Sequence, residues 1–450
     1  MDSHVKYLLS LRAVRERAQV VWQAAEAGEL AHFDLHKDKL GDVADFVITV
    51  IQRDFGPDKY DTIPPHGRWQ HFDVGNVPRV QNMIDSWKTT GTDDLELTRR
   101  LIDLFFVSVL LDAGAGDYWR FVEPHTDQKY ERSEGIAVAS LYMFNSFAFT
   151  DLVSETAPSV NGKGLKSMTD EKLGTGFQVS EQNPILGLGS RAALLRSLGE
   201  SLLENPGIFG EQGRPGNLVG KITSRIAQDT TCALTDFSDY MINTAENSSE
   251  LDVLKFWDVL QTLLIPCWPK DRTTVSGFPI GDAWPLNTLK KHTDPSKADD
   301  ITAGIQPFHK LTQWLTYSLM VPFQRILGIK WKNAESLTAL PEYRNGGLFV
   351  DLGAITLKKE AYERGIKASG KELPLFDAGD DVIVEWRALT LSLLDRVYES
   401  IVSRMGQGVH LSMAQVLEAG TWKSGREIAA QRRPETKSSP IIIRSDGTVF

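Results

Sequence analysis

The chain is poor in the features that would mark it as secreted, metal-stapled or membrane-bound. Only two cysteines occur, Cys232 and Cys267, too few for a disulfide framework and without the paired spacing of a thiolate metal site. Long apolar runs are missing as well. The greasiest stretch, residues 101–111, is interrupted by Asp103 and falls short of the ~20 residues that cross a bilayer. There is no basic surplus: 49 Lys and Arg face 59 Asp and Glu, a net charge of -10. That balance argues against nucleic acid as a partner, because tracking phosphates needs a basic face. The opening Met1-Asp2-Ser3-His4-Val5-Lys6 carries acid early and no long apolar core, unlike a signal peptide. Internal repeats and low-complexity tracts are absent too. The expectation is a soluble, cytoplasmic protein that partners neither nucleic acid nor membrane.

What the chain does have is enough ordinary material for a large core: 450 residues, 42% hydrophobic and 24% charged, with 36 Gly and 20 Pro. Helical periodicity dominates. Residues 5–31 read as a charged amphipathic helix, and 42–53 as a second with Val43, Phe46, Val47 and Val50 on one side. Residues 93–111 form a strong helix, with Thr92 as its cap, acids in its first turn, and Gly114 and Gly116 past its end. Further helices are expected at 136–147 (capped by Ser133), 186–203, 218–227, 249–264, 302–327, 386–405 and 412–431. A short strand at 345–352 after the Gly346-Gly347 turn and a C-terminal hairpin, 441–443 against 449–450, complete the reading. The fold class is therefore mainly α, with a few short strands. Its expected form is one helical catalytic unit in two lobes, 1–160 and 161–450.

Chemistry-bearing residues cluster in several places. Asp380-Asp381 lead into a helix whose buried stripe is Trp386, Leu389, Leu393, Val397 and Ile401. Glu385 lies at the edge of that stripe, roughly 40° from Leu389 at the helical turn angle, with Arg387 at the opposite edge. A carboxylate beside an indole on a half-apolar face suits a general base or a stabiliser of a developing cation. A first-turn helix charge paired with an arginine accounts for the same spacing. The segment Ile63-Pro64-Pro65-His66-Gly67-Arg68-Trp69-Gln70-His71-Phe72 has two histidines beside an arginine. It reads either as an anion contact or, more commonly, as a surface loop pinned by its aromatics. Gly114 and Gly116 make a weak phosphate loop, since no strand leads in and no lysine closes it. Arg132-Ser133-Glu134, Asp282-Ala283-Trp284 and Phe308-His309-Lys310-Leu311-Thr312-Gln313 are further candidates, with Lys310 and Gln313 on one helical face. His309 has no i+4 histidine partner and no nearby cysteines, so no metal ligand set is read here. No cofactor is expected either.

Leu110-Leu111-Asp112-Ala113-Gly114-Ala115-Gly116-Asp117-Tyr118-Trp119, Arg132-Ser133-Glu134-Gly135, Gly281-Asp282-Ala283-Trp284-Pro285 and the terminal Ser445-Asp446-Gly447-Thr448-Val449-Phe450 resemble the uracil catabolism protein 4 family. That fungal and bacterial family was long a domain of unknown function. The resemblance spans nearly the whole chain. It implies a role in opening the uracil ring of a nucleotide and disposing of ribosylurea. A more distant likeness is to queuosine nucleoside glycosylase, a DNA-glycosylase-like all-α enzyme. It rests on Leu110-Leu111-Asp112 before Trp119, Phe308-His309-Lys310-Leu311-Thr312-Gln313, and Glu385-Trp386-Arg387, in the same order along the chain. The last motif matches an Asp-Tyr-Arg whose aspartate is catalytic; the acid here is one methylene longer, and the pocket loops differ.

The resemblance implies an N-glycosidase acting on a ribosyl ureide or related nucleotide-derived small molecule, through an oxocarbenium-like transition state. Glu385 is expected to stabilise that cation and direct water, with Asp112 and Asp282 as further catalytic carboxylates assisting urea's departure. Lys310, Arg132 and Arg387 are expected to hold a 5′-phosphate. Gln313, Glu134, His309, Trp119, Trp284 and Trp386 complete the substrate-binding set. Two other readings stay open at this point: a ureide amidohydrolase releasing ammonia, and a non-catalytic partner channelling an unstable intermediate.

Overall fold

The computed structural model describes residues 2–116, 118–152, 157–220, 241, 249–269, 272–293, 300–406 and 408–444. The fold is mainly α, with short two-stranded ribbons between helices. Its centre is a pair of helices, Asp94–Leu110 and Lys310–Leu327, packed along each other. Both are buried nearly all round, which is why their sequences lack a clean polar face. Helix Asp381–Arg404 packs on Leu11–Glu26 and Leu40–Phe55. One continuous core includes buried residues from Leu11 through Ile441.

Several boundaries differ from the sequence reading for local physical reasons. The first helical stretch is two helices, Ser3–Leu8 and Leu11–Glu26, parted at Ser10, whose hydroxyl accepts from the Ala13 amide at 3.2 Å. The cap of Asp94–Leu110 is Asp93, not Thr92; its carboxylate accepts from the Glu96 amide at 2.7 Å. Ser133 is not a cap, because its helix already starts at Arg132 and runs to Asn145. Residues 302–309 are not helical: Ile305–Pro307 is a strand antiparallel to Ala283–Pro285, and His309 turns left-handed at φ 47° before Lys310. The expected strand at 345–352 is helix Tyr343–Asp351. Its glycines serve close packing, since a Cβ on Gly346 would sit 2.8 Å from the Trp386 indole. The last long helix contains a π-helical turn, Leu417–Thr421, before continuing as Trp422–Arg432. Ile442–Arg444 pairs in parallel with Leu375–Asp377; the other half of the expected hairpin, residues 445–450, lies outside the described residues. So do Asp117, Cys232 and residues 221–227 of an expected helix.

A buried ion pair joins three of these elements. Arg387, on helix Asp381–Arg404, donates to Asp282 through both terminal nitrogens, each bond 2.8 Å. The Arg387 guanidinium also lies 3.9 Å from the centre of the Phe308 ring and bonds the Pro341 carbonyl. Asp282 further accepts from the Trp284 indole at 2.7 Å and the Lys310 amide at 3.0 Å. Its own carbonyl takes the amides of Phe308 and His309. Burial alone would raise the Asp282 pKa; the adjacent guanidinium overrides this and holds it well below the usual carboxylate range. Every strong donor and acceptor is matched, so the pair positions the start of helix Lys310–Leu327 rather than offering free valence. Arg387→Met, which strands a buried carboxylate, is expected to lower unfolding free energy by roughly 3–5 kcal/mol. The double change Asp282→Asn/Arg387→Met should recover part of that loss. Urea unfolding followed by far-UV circular dichroism measures both.

Candidate active site

A cavity of about 270 Å³ opens where three helix N-termini meet, those of Arg132–Asn145, Lys310–Leu327 and Tyr343–Asp351. Residues 112–116, Trp422 and Arg426 of helix Trp422–Arg432, and Ser438, Ser439 and Ile441–443 close its sides. The loop after Leu110 is shaped by buried Arg191, which donates to the carbonyls of Leu111, Ala113 and Gly114. That grip sets Asp112 on the cavity wall.

Asp112 is held by a second buried arginine. Arg68 Nη1 donates to Asp112 Oδ2 at 2.7 Å, while its Nε bonds the Ser108 hydroxyl at 2.8 Å and its Nη2 the Ser108 carbonyl at 3.0 Å. Burial works to raise the Asp112 pKa, but the positive charges of Arg68, first, and Lys310 win and hold it low. The same Arg68 nitrogen donates to His71 Nδ1 at 3.1 Å. That bond occupies the Nδ1 lone pair and places the imidazole proton on Nε2. Burial first, then the Arg68 charge, push the His71 pKa down to about 4, so the ring is neutral near pH 7.

Glu342 behaves in the opposite sense. It precedes helix Tyr343–Asp351, and its carboxyl accepts from the amides of Arg344 at 2.7 Å and Asn345 at 2.5 Å. Those bonds, with Lys310 nearby, favour the anion; burial outweighs them and raises its pKa to about 7. Two carboxyl groups on one cavity are thus pushed apart, one kept ionised and one kept protonated to near neutrality. Glu134 is a third acid here, ion-paired to Arg426 and held low despite its burial. Around them four rings interleave: His66 lies 4.5 Å from Trp314, and His71 lies 5.5 Å from both Trp314 and Trp422. His66 Nδ1 bonds Glu418 of the π-helical turn at 2.6 Å, a device that recurs where a side chain must be re-aimed at a site.

Comparison with known proteins places this chain. A family described as "Protein of unknown function (DUF1688)" matches residues 7–450. The chain belongs to that family. It is 48% identical to "Protein urg3" of Schizosaccharomyces pombe, with 99% of each chain covered. It is 43% identical to "Uracil catabolism protein 4" of Lachancea kluyveri, with 100% of each covered.

Of the residues expected at the site, Asp112, Arg132, Glu134 and Lys310 line the cavity of this family member. The others do not. Glu385 is fully buried elsewhere: its oxygens accept from the amides of Ala31 at 2.9 Å and His32 at 2.7 Å, and from the Thr288 hydroxyl. A carboxylate so occupied fastens a helix to a loop. Asp282, Arg387 and Trp284 form the clamp described above. His309 Nε2 donates to the Leu8 carbonyl at 2.7 Å, and Gln313 is bonded at both ends to Thr338. Trp119 bonds the Phe177 carbonyl and Trp386 the Gly346 carbonyl. Missed were Glu342, Tyr343, Arg344, Trp314, Trp422 and Arg426, together with His66 and His71. The two histidines carried a signal, the arginine between them, that the loop reading set aside. Glu342 carried none: reading 345–352 as a strand hid its place before a helix.

Glu385→Gln puts an amide N–H against a backbone N–H. It is expected to lower unfolding free energy by about 1–3 kcal/mol while turnover by the folded fraction stands. Denaturant midpoints and rates per folded molecule measure both, and a large rate loss in a fully stable variant would return the chemistry to Glu385.

Proposed function

We propose that this chain is an N-glycosidase of uracil catabolism. It hydrolyses the ribose C1′–N bond of ribosylurea, or of its 5′-phosphate, to urea and ribose or ribose 5-phosphate. The printed name of one relative, uracil catabolism protein 4, supports the pathway. The observation that carries the reaction class is the pair of carboxyl groups on one cavity with opposed shifts, Asp112 held low by Arg68 and Glu342 raised by burial to about 7.

Glycosidic cleavage needs both. As the C1′–N bond lengthens, positive charge grows on the sugar and negative charge on the departing nitrogen. Asp112, fixed by Arg68, offers a preorganised anion to the sugar cation. Glu342 gives its proton to the urea nitrogen, which otherwise leaves poorly. Water adds to C1′, and the proton it sheds replaces the one Glu342 gave. One water is consumed and urea is released. Arg132, Lys310, Arg344 and Arg426 all line the same cavity, which suits a phosphorylated sugar. The role that the sequence suggested for Glu385 falls in this reading to Asp112.

Purified protein incubated with ribosylurea and its 5′-phosphate should release free urea and a reducing sugar; ammonia with the sugar still attached would reject the reading. Glu342→Gln should lower turnover at least ~10²-fold. Because the protonated form of Glu342 is the active one, the wild-type rate should fall as pH rises through about 7. The variant should lack that alkaline limb. Asp112→Asn should lose rate at every pH, its wild-type carboxylate being ionised throughout the neutral range.

A further inference from the structure

Among the described residues, some buried side-chain nitrogens and oxygens have no hydrogen-bond partner. Of these, only His71 Nε2 and Trp314 Nε1 belong to side chains that line the cavity. Buried polar groups are nearly always satisfied, and an unmet one costs about 1–3 kcal/mol. Both atoms are donors. The indole nitrogen can only donate, and the bond from Arg68 to His71 Nδ1 leaves the imidazole proton on Nε2. Their rings are neighbours, with centroids 5.5 Å apart. Trp422 packs against His71 and His66 against Trp314, giving flat apolar walls of the kind a planar group lies against. Two unmet N–H groups on neighbouring rings suit one oxygen with two lone pairs. A cation or an N–H donor would find no acceptor in them.

We infer that His71 and Trp314 form a carbonyl-recognition subsite, their ring N–H groups donating to one oxygen of the ligand. On the reading proposed above, that oxygen is the carbonyl of the ureide. The subsite then has a task in the reaction as well as in recognition. When the C1′–N bond breaks, its electron pair passes to the urea nitrogen and spreads onto the carbonyl oxygen. Neutral donors aimed at that oxygen hold the charge until the Glu342 proton reaches the nitrogen. Arg68 therefore acts on both ends of the bond being cut, fixing Asp112 for the sugar and the His71 tautomer for the leaving group. A leaving group without a carbonyl beside the bond would be bound poorly and expelled slowly.

The test uses the full-length protein and two ligands that cannot be cleaved, the carbocyclic analogue of ribosylurea and its thiocarbonyl counterpart, since sulfur accepts hydrogen bonds weakly. Calorimetric titration of the wild type should show a preference for the oxygen ligand of about tenfold, the equivalent of one net hydrogen bond. Trp314→Phe keeps the ring and removes the donor. His71→Asn keeps an acceptor for Arg68 and removes the distal N–H. Each should reduce the preference, whereas His71→Gln, whose amide N–H lies near the place of Nε2, should retain it. Circular dichroism and unfolding midpoints establish that each variant is folded. The inference is overturned if the wild type shows no oxygen preference, or if folded Trp314→Phe and His71→Asn keep the wild-type ratio. Turnover of ribosylurea is read separately. A protein that keeps the oxygen preference but releases no urea sinks the glycosidase reading and leaves the subsite standing; urea release with an unchanged ratio in the variants does the reverse.

Discussion

The bidentate pair between Asp282 and Arg387 is the constraint on which the site's geometry depends. It joins the strand Ala283–Pro285, the helix Asp381–Arg404 and the start of helix Lys310–Leu327 within one dry cluster. Two charges removed from water gain little net stability from each other, and geometry is the more secure return. Here the geometry is specific. The Lys310 amide is tied to Asp282, so the lysine enters the cavity wall at a fixed height, and Trp314 follows one turn later on the same helix. Arg387 reaches the Pro341 carbonyl as well, the residue immediately before Glu342. The clamp thus touches the backbone beside both Lys310 and Glu342 of the cavity without lining it.

Behind the cavity wall, Arg68 does for protonation what the clamp does for position. One nitrogen of a buried guanidinium serves Asp112 and His71 together. For the carboxylate the effect is to keep the anion; for the imidazole it is to forbid the cation. The anion follows from that fixed positive charge in a poorly screened setting; the neutral ring follows from burial first, with the same charge added. Glu342 lacks such a partner among its hydrogen bonds. It receives two backbone amides, which are dipoles rather than charges, and burial prevails. The contrast between the two acids is therefore one of environment, since side-chain length does not account for opposite shifts.

Sequence periodicity made the helices legible because burial of an apolar stripe leaves a repeating trace. The core pair, the helix after Asp380 and the helix after Arg132 were all visible in that way. The trace fails where packing replaces propensity. Gly346 and Gly347 look like a turn, yet they sit inside a helix because Trp386 and Pro440 crowd the places their side chains would occupy. That misreading hid Glu342. His66, Arg68 and His71 looked like a loop because two prolines and a glycine surround them, whereas Arg68–Phe72 is a short buried helix. Asp112, Arg132, Glu134 and Lys310 stand out in short local motifs, although the helices that begin at Arg132 and Lys310 start elsewhere than the sequence suggests. Pairing across more than forty residues, as between Arg68 and Asp112, leaves no trace in spacing at all.

Glu385 and Glu342 show how little a residue's local setting says about its task. Each accepts two backbone amides, and each lies at or near the start of a helix. The difference is what completes the shell. Glu385 takes amides from a distant segment, Ala31 and His32, and adds the Thr288 hydroxyl; three donors from two other parts of the chain turn it into a fastener. Glu342 takes amides from its own helix and turns its remaining side toward a cavity that also holds Asp112, Lys310 and Arg426. A carboxyl whose donors are all local stays free to exchange a proton with whatever enters, because losing the anion unpicks no tertiary contact. A carboxyl whose donors come from afar would unfasten the fold each time it was protonated. Proton transfer is thus better carried by the first kind, and this chain has its acid of that kind at the cavity.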